Sequence, residues 1–427
     1  MPMRDTELYE RILGLDKPWS VRDVALNVDD GHVDIFVEHA ADARWACPEC
    51  GKALGCYDHA ETRVWRHLDT CQYQTRLHAR IPRVDCPEHG VKQVEVSWAG
   101  KHSRFTLLME RLVIDTLRAC QSVSRTATLT GVSWDQAQAV MQRAVARGQQ
   151  RKAQAEASPE APDLPRAVER IGVDEKAFRK GHSYMTLVCD LDRSTVEYVA
   201  EDRTTESLAG YYRGLSDAQK AAITCVAMDM WPAYIKATRD ALNELPGAGA
   251  EQKIVFDRFH VMKLAGEAVD RVRKAEHKAL RREGDDTLTG SKYLWLYAEE
   301  NVPEHRADQF ASLKALNLRT GRAWAIKEML RDLWDYTYRG PARKFFQRWF
   351  GWARRSQLAP IKQLALTVKR HLDGILTYCK HRVTNAATEG INSTVMTIKR
   401  LAGGYRNREN FKTAIYFHCG GLDLHPR

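Results

Sequence analysis

The sequence predicts an α/β multidomain chain: a mixed sheet with a large all-α insertion, preceded by a small cysteine-rich unit and a tightly joined helix pair. Three observations predict it. The apolar runs Val168–Val173, Tyr184–Cys189, Thr195–Ala200, Ile223–Met228 and Ile254–Phe256 alternate with helical stretches. Residues from His260 to about Tyr378 then read as helix throughout, dense in Trp, Tyr, Phe and Arg. Well before these runs stand two matching pairs, Cys47-Pro-Glu-Cys50 and Cys86-Pro-Glu-His89.

At 427 residues the chain has room for about three domains on length alone. Hydrophobic residues make up 44% and charged residues 28%, as in an ordinary globular protein. The net charge of +10 favours a polyanionic partner. No apolar stretch approaches the ~18 residues of a membrane span. The amino-terminal residues lack an apolar core after a basic end, so a secretory signal is not expected. Of ten cysteines, five fall between Cys47 and Cys86, a distribution that favours a local metal site over a disulfide framework. Cys189 and Cys225 lie inside apolar runs and read as buried thiols, so a reducing, cytoplasmic compartment is expected.

In chain order, residues 1–100 form a strand-rich unit with short alternating stretches such as Val33–Val37. Residues 101–152 turn helical, with apolar residues three and four apart. Residues 153–166 carry three prolines and few large apolar residues, the composition of a linker. Residues 167–259 hold the strands, with a hairpin turn at Asp190-Leu-Asp-Arg-Ser194 and helices at Thr204–Leu215 and from Trp231 to about Asn243. The order strand, hairpin, helix, strand, helix, strand matches an RNase H-like mixed sheet. Residues 260–380 interrupt it as an all-helical insertion, and residues 381–427 complete it with a helical stretch broken at Gly403-Gly404.

Cys47, Cys50, Cys86 and His89 suit a single structural Zn²⁺, because thiolates with imidazole favour a closed tetrahedral site. Gly51 and Gly90 follow the two knuckles and relieve the tight turns. Cys56, His59, His67 and Cys71 lie between the knuckles without paired spacing and are set aside as ligands. Ser124–Ala137 has the pattern of a helix-turn-helix: Ala127 permits close packing, Gly131 makes the turn, Val132 points inward and Ser133 caps the next helix. That helix, Trp134 to about Arg147, is the candidate recognition helix. Ser133 at its start is a candidate DNA contact, and the helix offers Gln136, Gln138 and Gln142 to base edges and Arg143, Arg147, Arg151 and Lys152 to phosphates. A helical hairpin used for dimerisation is the alternative.

Three acids stand out. Asp174 and Asp229 end apolar runs, and Glu389 opens a basic helix in Asn385-Ala-Ala-Thr-Glu389-Gly-Ile-Asn392. Carboxylates held together repel unless cations neutralise them, and hard oxygen ligands suit Mg²⁺ or Mn²⁺. Together they point to a two-metal site for phosphodiester chemistry. Singly, each has a plainer role: a turn cap at Asp174, an N-cap at Asp229, a first-turn acid at Glu389. Lys399, Arg400, Arg406 and Arg408 give the Glu389 region a surface for phosphate. Asp257 and His260 either support the site or simply cap and pack a helix. Trp324, Trp334, Trp349 and Trp352 read as helical core before base-stacking platforms.

The chain resembles a bacterial insertion-sequence transposase of the DDE class, with an amino-terminal zinc ribbon and helix-turn-helix before an interrupted RNase H-like domain. The resemblance covers nearly the whole chain. It rests on Gly172-Val-Asp174-Glu175, Asp229-Met-Trp-Pro-Ala-Tyr234, Phe256-Asp-Arg-Phe-His260 and Glu389-Gly-Ile-Asn392, followed by Ile398-Lys-Arg400 and Gly404-Tyr-Arg406. By it, Asp174, Asp229 and Glu389 match the catalytic triad, while Asp257 and His260 match the family's Asp-x-x-His signature. His89 stands where such ribbons often carry Cys. The resemblance implies phosphoryl transfer assisted by two Mg²⁺ (or Mn²⁺) ions, with cutting at the element ends and attack of the freed 3′-hydroxyl on target DNA. It implies binding of terminal inverted repeats, a homodimer or higher oligomer on DNA, and a bacterial, nucleoid-associated location. The helical insertion could stack on flipped bases or grip flanking DNA. A catalytically silent DNA-binding regulator and a metal-dependent nuclease without strand transfer are the competing functions.

Overall fold

The computed structural model describes residues 4–157, 168–179, 183–243, 249–383 and 386–426. The expected linker 153–166 lies outside them from residue 158 onward, as does Asn385. The chain divides into two compact units: Met1–Ala161 with Ile398–His418 and Leu422–Arg427, and Pro162–Thr397 with Cys419–Gly421.

The first unit opens with a helix, Asp5–Leu13, and seven strands: β1 (Trp19–Asn27), β2 (His32–His39), β3 (Arg44–Ala46), β4 (Ala53–Gly55), β5 (Asp58–Arg66), β6 (Gln74–Cys86) and β7 (Gly90–Gln93). One sheet runs β1-β2-β6-β5 with β7 also on β6, while β3 and β4 pair separately. Alternation along β2 buries Val33, Ile35 and Val37, which pack with Trp19, Trp45, Trp65, Leu77 and Trp98. Helices Leu107–Cys120, Val123–Thr130 and Trp134–Ala157 follow. The second ends at Gly131, and Ser133 and Gln136 exchange side-chain and backbone hydrogen bonds (2.8 and 3.1 Å) in a capping box that starts the third. The helix-turn-helix expected around Ser124–Ala137 therefore forms, and its last helix is longer than expected. The closing helix, Arg408–Cys419, groups with this unit as far as His418.

The second unit is built on β8 (Arg170–Arg179), β9 (Ser183–Asp190), β10 (Thr195–Glu201), β11 (Cys225–Met228) and β12 (Ile254–Phe256). Their order is β10-β9-β8-β11-β12. The first three pair antiparallel, and β8, β11 and β12 run parallel. Helices Thr205–Arg213 and Pro232–Leu242 join β10 to β11 and β11 to β12 within the spans expected. Strand β8 runs six residues past the expected Val173, because Asp174–Arg179 continues the pairing with β9.

The helical block begins at Arg258 and runs through successive helices to His381. Its apolar faces join the core of the sheet. Ile171, Val226 and Phe256 of the sheet share one cluster with Val261, Val269, Trp295, Trp334, Trp349 and Leu376 of the helices. Helix Leu372–His381 packs so near β12 that a Cβ on Gly374 would lie 2.4 Å from the Phe256 ring. Trp324, Trp334 and Trp349 are buried and Trp352 half-buried, as a helical core requires.

Candidate metal centres and nucleic-acid interface

The strand register assembles the acidic site. Val173 pairs with Met228 and Met228 with Phe256. Asp174, Asp229 and Asp257 are the next residues on three adjacent parallel strands, which are spaced about 4.8 Å apart. Oxygens of Asp174, Glu175 and Asp229 lie within 4.8 Å of one another. All three side chains are half-buried.

Each acid has a defined partner. Asp174 Oδ2 accepts from the Asn392 side-chain amide and lies 3.4 Å from Lys176 Nζ. Asp229 Oδ1 lies 2.6 Å from His260 Nε2. Burial lowers the basicity of His260, but its hydrogen bond to Asp229 and the charges of Asp229, Asp257 and Asp174 outweigh that and raise its pKa. Burial, then the Asp229 and Asp174 charges, raise the Glu175 pKa; Arg203, 3.3 Å away, opposes them. The Arg203 guanidinium is held over the rings of Tyr184 and Trp231, at 4.2 and 4.4 Å from their centroids. Asp257 spends its carboxylate as an N-cap, accepting from Phe259 N at 2.9 Å.

Helix Ala386–Leu401 meets β8 at Gly172, where a Cβ would lie 2.6 Å from Thr388 Oγ1 and 2.7 Å from Leu191. Only glycine allows this approach, and the approach brings Asn392 onto Asp174. Among the described residues, Asn392 Oδ1 is buried and has no hydrogen-bond partner. The three carboxylates that gather are hard oxygen donors and fit Mg²⁺ or Mn²⁺. Glu389 is exposed, three residues before Asn392, and its carboxylate is not one of the three that gather. Glu175 and Asn392 do gather. Strand alternation argues against Glu175, since neighbours on a strand face opposite ways, but its longer side chain reaches the cluster. Asn392 had a signal: it closes the same short motif that holds Glu389.

In the first unit the two knuckles meet. Cys47–Cys50 follows β3, and Cys86–His89 turns β6 into β7. The four ligand atoms lie within 4.8 Å of one another, with Cys50 and Cys86 sulfurs 3.7 Å apart and Cys86 Sγ 3.5 Å from His89 Nδ1. Tetrahedral Zn²⁺ with bonds of about 2.3 Å to sulfur and 2.0 Å to nitrogen requires edges of about 3.8 and 3.5 Å. The His89 imidazole, followed by backbone amides, pulls the Cys86 thiol down to about 6, favouring the thiolate that binds metal.

The proposed nucleic-acid contacts divide. Ser133, Gln136 and Gln142 are exposed, although Gln136 is engaged in its cap. Gln138 is 5% exposed and belongs to the core, so it cannot reach a base edge. Arg143 and Arg147 bind the buried Glu110 carboxylate at 2.9 and 3.0 Å, which makes them structural cations rather than free phosphate contacts. Both corrections have one cause: helix Trp134–Ala157 buries a face against Leu107–Cys120, and helical spacing alone did not say which face. Arg151 likewise pairs with Asp423. Arg400 and Arg406 are exposed, and Lys399 and Arg408 half-buried, at the end of helix Ala386–Leu401 and the turn after it.

Three family profiles match. One described as a transposase covers residues 171–415, and one described as a zinc finger of insertion-sequence transposases covers 43–89. A third, a helix-turn-helix domain of transposase family ISL3, covers 94–145. The chain is 28% identical to the transposase of insertion sequence IS1001 from Bordetella parapertussis, across 96% of this chain and 97% of that one. It is 27% identical to the IS1557 transposase of Mycobacterium tuberculosis, across 95% and 93%.

Proposed function

The chain belongs to the ISL3 family of insertion-sequence DDE transposases, and from that premise we propose that it binds the terminal inverted repeats of its element and transfers strands at a two-metal site held by Asp174, Asp229 and Glu389. A transposase cleaves and joins DNA, and the family's helix-turn-helix and zinc ribbon bind DNA and zinc. Among the described residues no helix is long and apolar enough to cross a membrane. The strand order β10-β9-β8-β11-β12 supports assigning the catalytic region to the RNase H-like fold.

The observation that carries the mechanism is the register placing Asp174 beside Asp229, with helix Ala386–Leu401 closed on β8 at Gly172. Asn392 and Glu389, three residues apart, share a face of that helix. Asn392 already touches Asp174, which supports Glu389 as the third acid on the same approach. Bound there, Mg²⁺ or Mn²⁺ supplies Lewis-acid stabilisation of the attacking and leaving oxygens. His260 fixes the Asp229 carboxylate, and Asn392 fixes that of Asp174. Lys176 and Arg203 offset the repulsion among the acids and favour a phosphate over the site. The exposed start of helix Trp134–Ala157 and Lys399, Arg400, Arg406 and Arg408 supply the DNA contacts. Joining two DNA ends usually takes at least two subunits, which favours a dimer or larger assembly on DNA.

A strand-transfer assay with Mg²⁺ and DNA bearing the element's ends tests this. Joined products are expected. Cleavage without joining would make the protein a nuclease, and binding alone a regulator. Glu389→Gln should abolish joining, while Glu175→Gln should lower it less; the reverse order would move the third acid to Glu175.

A further inference from the structure

We propose a second transition-metal site in the first unit, formed by His39 Nε2, Cys56 Sγ and His59 Nε2, that takes Zn²⁺ with water in the fourth position. The three ligand atoms lie within 4.8 Å of one another and all three residues are half-buried. They are separate from the four knuckle ligands. The expectation that Cys56 and His59 lack paired spacing does not hold: two residues separate them, as two separate Cys86 and His89, so the pair lacks only a partner from elsewhere in the chain.

The sheet supplies that partner. Val37 pairs with Ala79 and His59 with Pro82, so His39 comes level with Ile81 on one side of β6 while His59 flanks the other. The two imidazoles meet over β6, nearly parallel, with centroids 5.1 Å apart and Nε2 atoms 2.8 Å apart. Cys56 Sγ lies 3.8 Å from His59 Nε2. Zinc with tetrahedral ligands needs nitrogen–nitrogen and nitrogen–sulfur edges of about 3.3 and 3.5 Å. Parting the two rings by about 0.5 Å and closing Cys56 on His59 by about 0.3 Å satisfies both edges.

The surroundings prepare His39 as a ligand. Its Nδ1 lies 2.8 Å from the Ala40 carbonyl, which only an N–H can satisfy. The lone pair is thereby assigned to Nε2, the atom facing His59, as outer hydrogen bonds do for metal-binding histidines. Edge contacts with Trp19 and Trp45 hold the ring in place at 5.5 and 5.2 Å. Asp58 does not compete for the ion, since its carboxylate is engaged by Arg83. With one thiolate and two neutral imidazoles, the donor set is that of a borderline divalent ion with one open position. Bound there, zinc ties β2 to β5 across β6, close to the ribbon hairpin.

The full-length protein, purified and equilibrated with Zn²⁺ alone, should carry two zinc ions per chain by mass spectrometric metal analysis. Cys56→Ser and His39→Gln, which alter different strands, should each lower the count from two to one. Cys50→Ser, which disrupts the ribbon, should leave the second ion bound. With Co²⁺ as probe, Cys56→Ser should remove one sulfur-to-cobalt charge-transfer contribution and leave the ribbon's spectrum intact. A wild-type count of one, or a count of two that both Cys56→Ser and His39→Gln retain, overturns the proposal.

Discussion

Replacing Gly172 with Ala tests whether the docking of helix Ala386–Leu401 on β8 builds the acidic site. The added Cβ would sit 2.6 Å from Thr388 Oγ1 and 2.7 Å from Leu191 Cδ2, against an ordinary contact of at least 3.4 Å. Helix or strand must therefore yield by about 0.8 Å. Overpacking of this kind costs about 1–3 kcal/mol, or about 2–4 °C of melting temperature per kcal/mol in a domain of this size. Catalysis should suffer more than stability. A displacement near 1 Å at a reacting centre costs about 100-fold in rate, and this one moves Asn392 away from Asp174. The assay is strand transfer under single-turnover conditions beside a gel-shift measurement of end binding. Joining should fall about 100-fold while binding is unchanged. Thr388→Ala in the same chain should restore part of the loss, because Thr388 Oγ1 is buried with no partner among the described residues. Wild-type joining by Gly172→Ala would refute the reasoning.

Other expectations follow from the first unit. Burial, then the Arg66 charge, hold the His67 pKa near 4 against the usual 6.5, so the folded protein keeps this ring neutral. The unfolded chain binds the extra proton, so the stabilisation is complete above about pH 6.5 and is lost as pH falls through about 4, amounting to about 3 kcal/mol. Urea unfolding of wild type and His67→Gln between pH 7 and 4 should show a steeper loss for wild type; parallel curves would contradict this. Arg147→Ala should lower stability by about 1–3 kcal/mol, since it strips a partner from the buried Glu110. The salt dependence of DNA binding should stay unchanged, whereas a shallower slope would restore Arg147 as a phosphate contact. Cys86→Ser should release the ribbon's zinc and unfold the β6–β7 hairpin, read as lost metal and lost amide protection over residues 83–93.

Much of the fold was legible because its signals are local. Strand Ile254–Phe256 stands where its apolar run ends, the hairpin turns at Asp190–Ser194, and Ser133 caps its helix as a polar side chain before a turn should. The paired knuckles carried their own geometry in their spacing. What escaped depends on contacts between distant segments. Gln138 and Gln142 look alike on a helical wheel, and only packing against Leu107–Cys120 decides that one is buried. The helical block looked like a separate domain because its helices carry their own periodicity, yet their apolar faces complete the core of the sheet. Glu175 was hidden by strand alternation. His39, Cys56 and His59 were hidden by β6, which must first lie between them. Asp229 was legible as a strand end, whereas Asp174 ends its apolar run but not its strand, which continues to Arg179; the adjacency of the two is a property of register, which no single strand records.

The most direct measurement is Mg²⁺-dependent strand transfer by Asp229→Asn with end binding measured in parallel. Asparagine keeps the size of the side chain and a hydrogen-bond acceptor for His260 while removing the charge that a metal ion needs. Undetectable joining with unchanged DNA affinity is the predicted result. Joining at the wild-type rate would contradict a metal site built on Asp174 and Asp229.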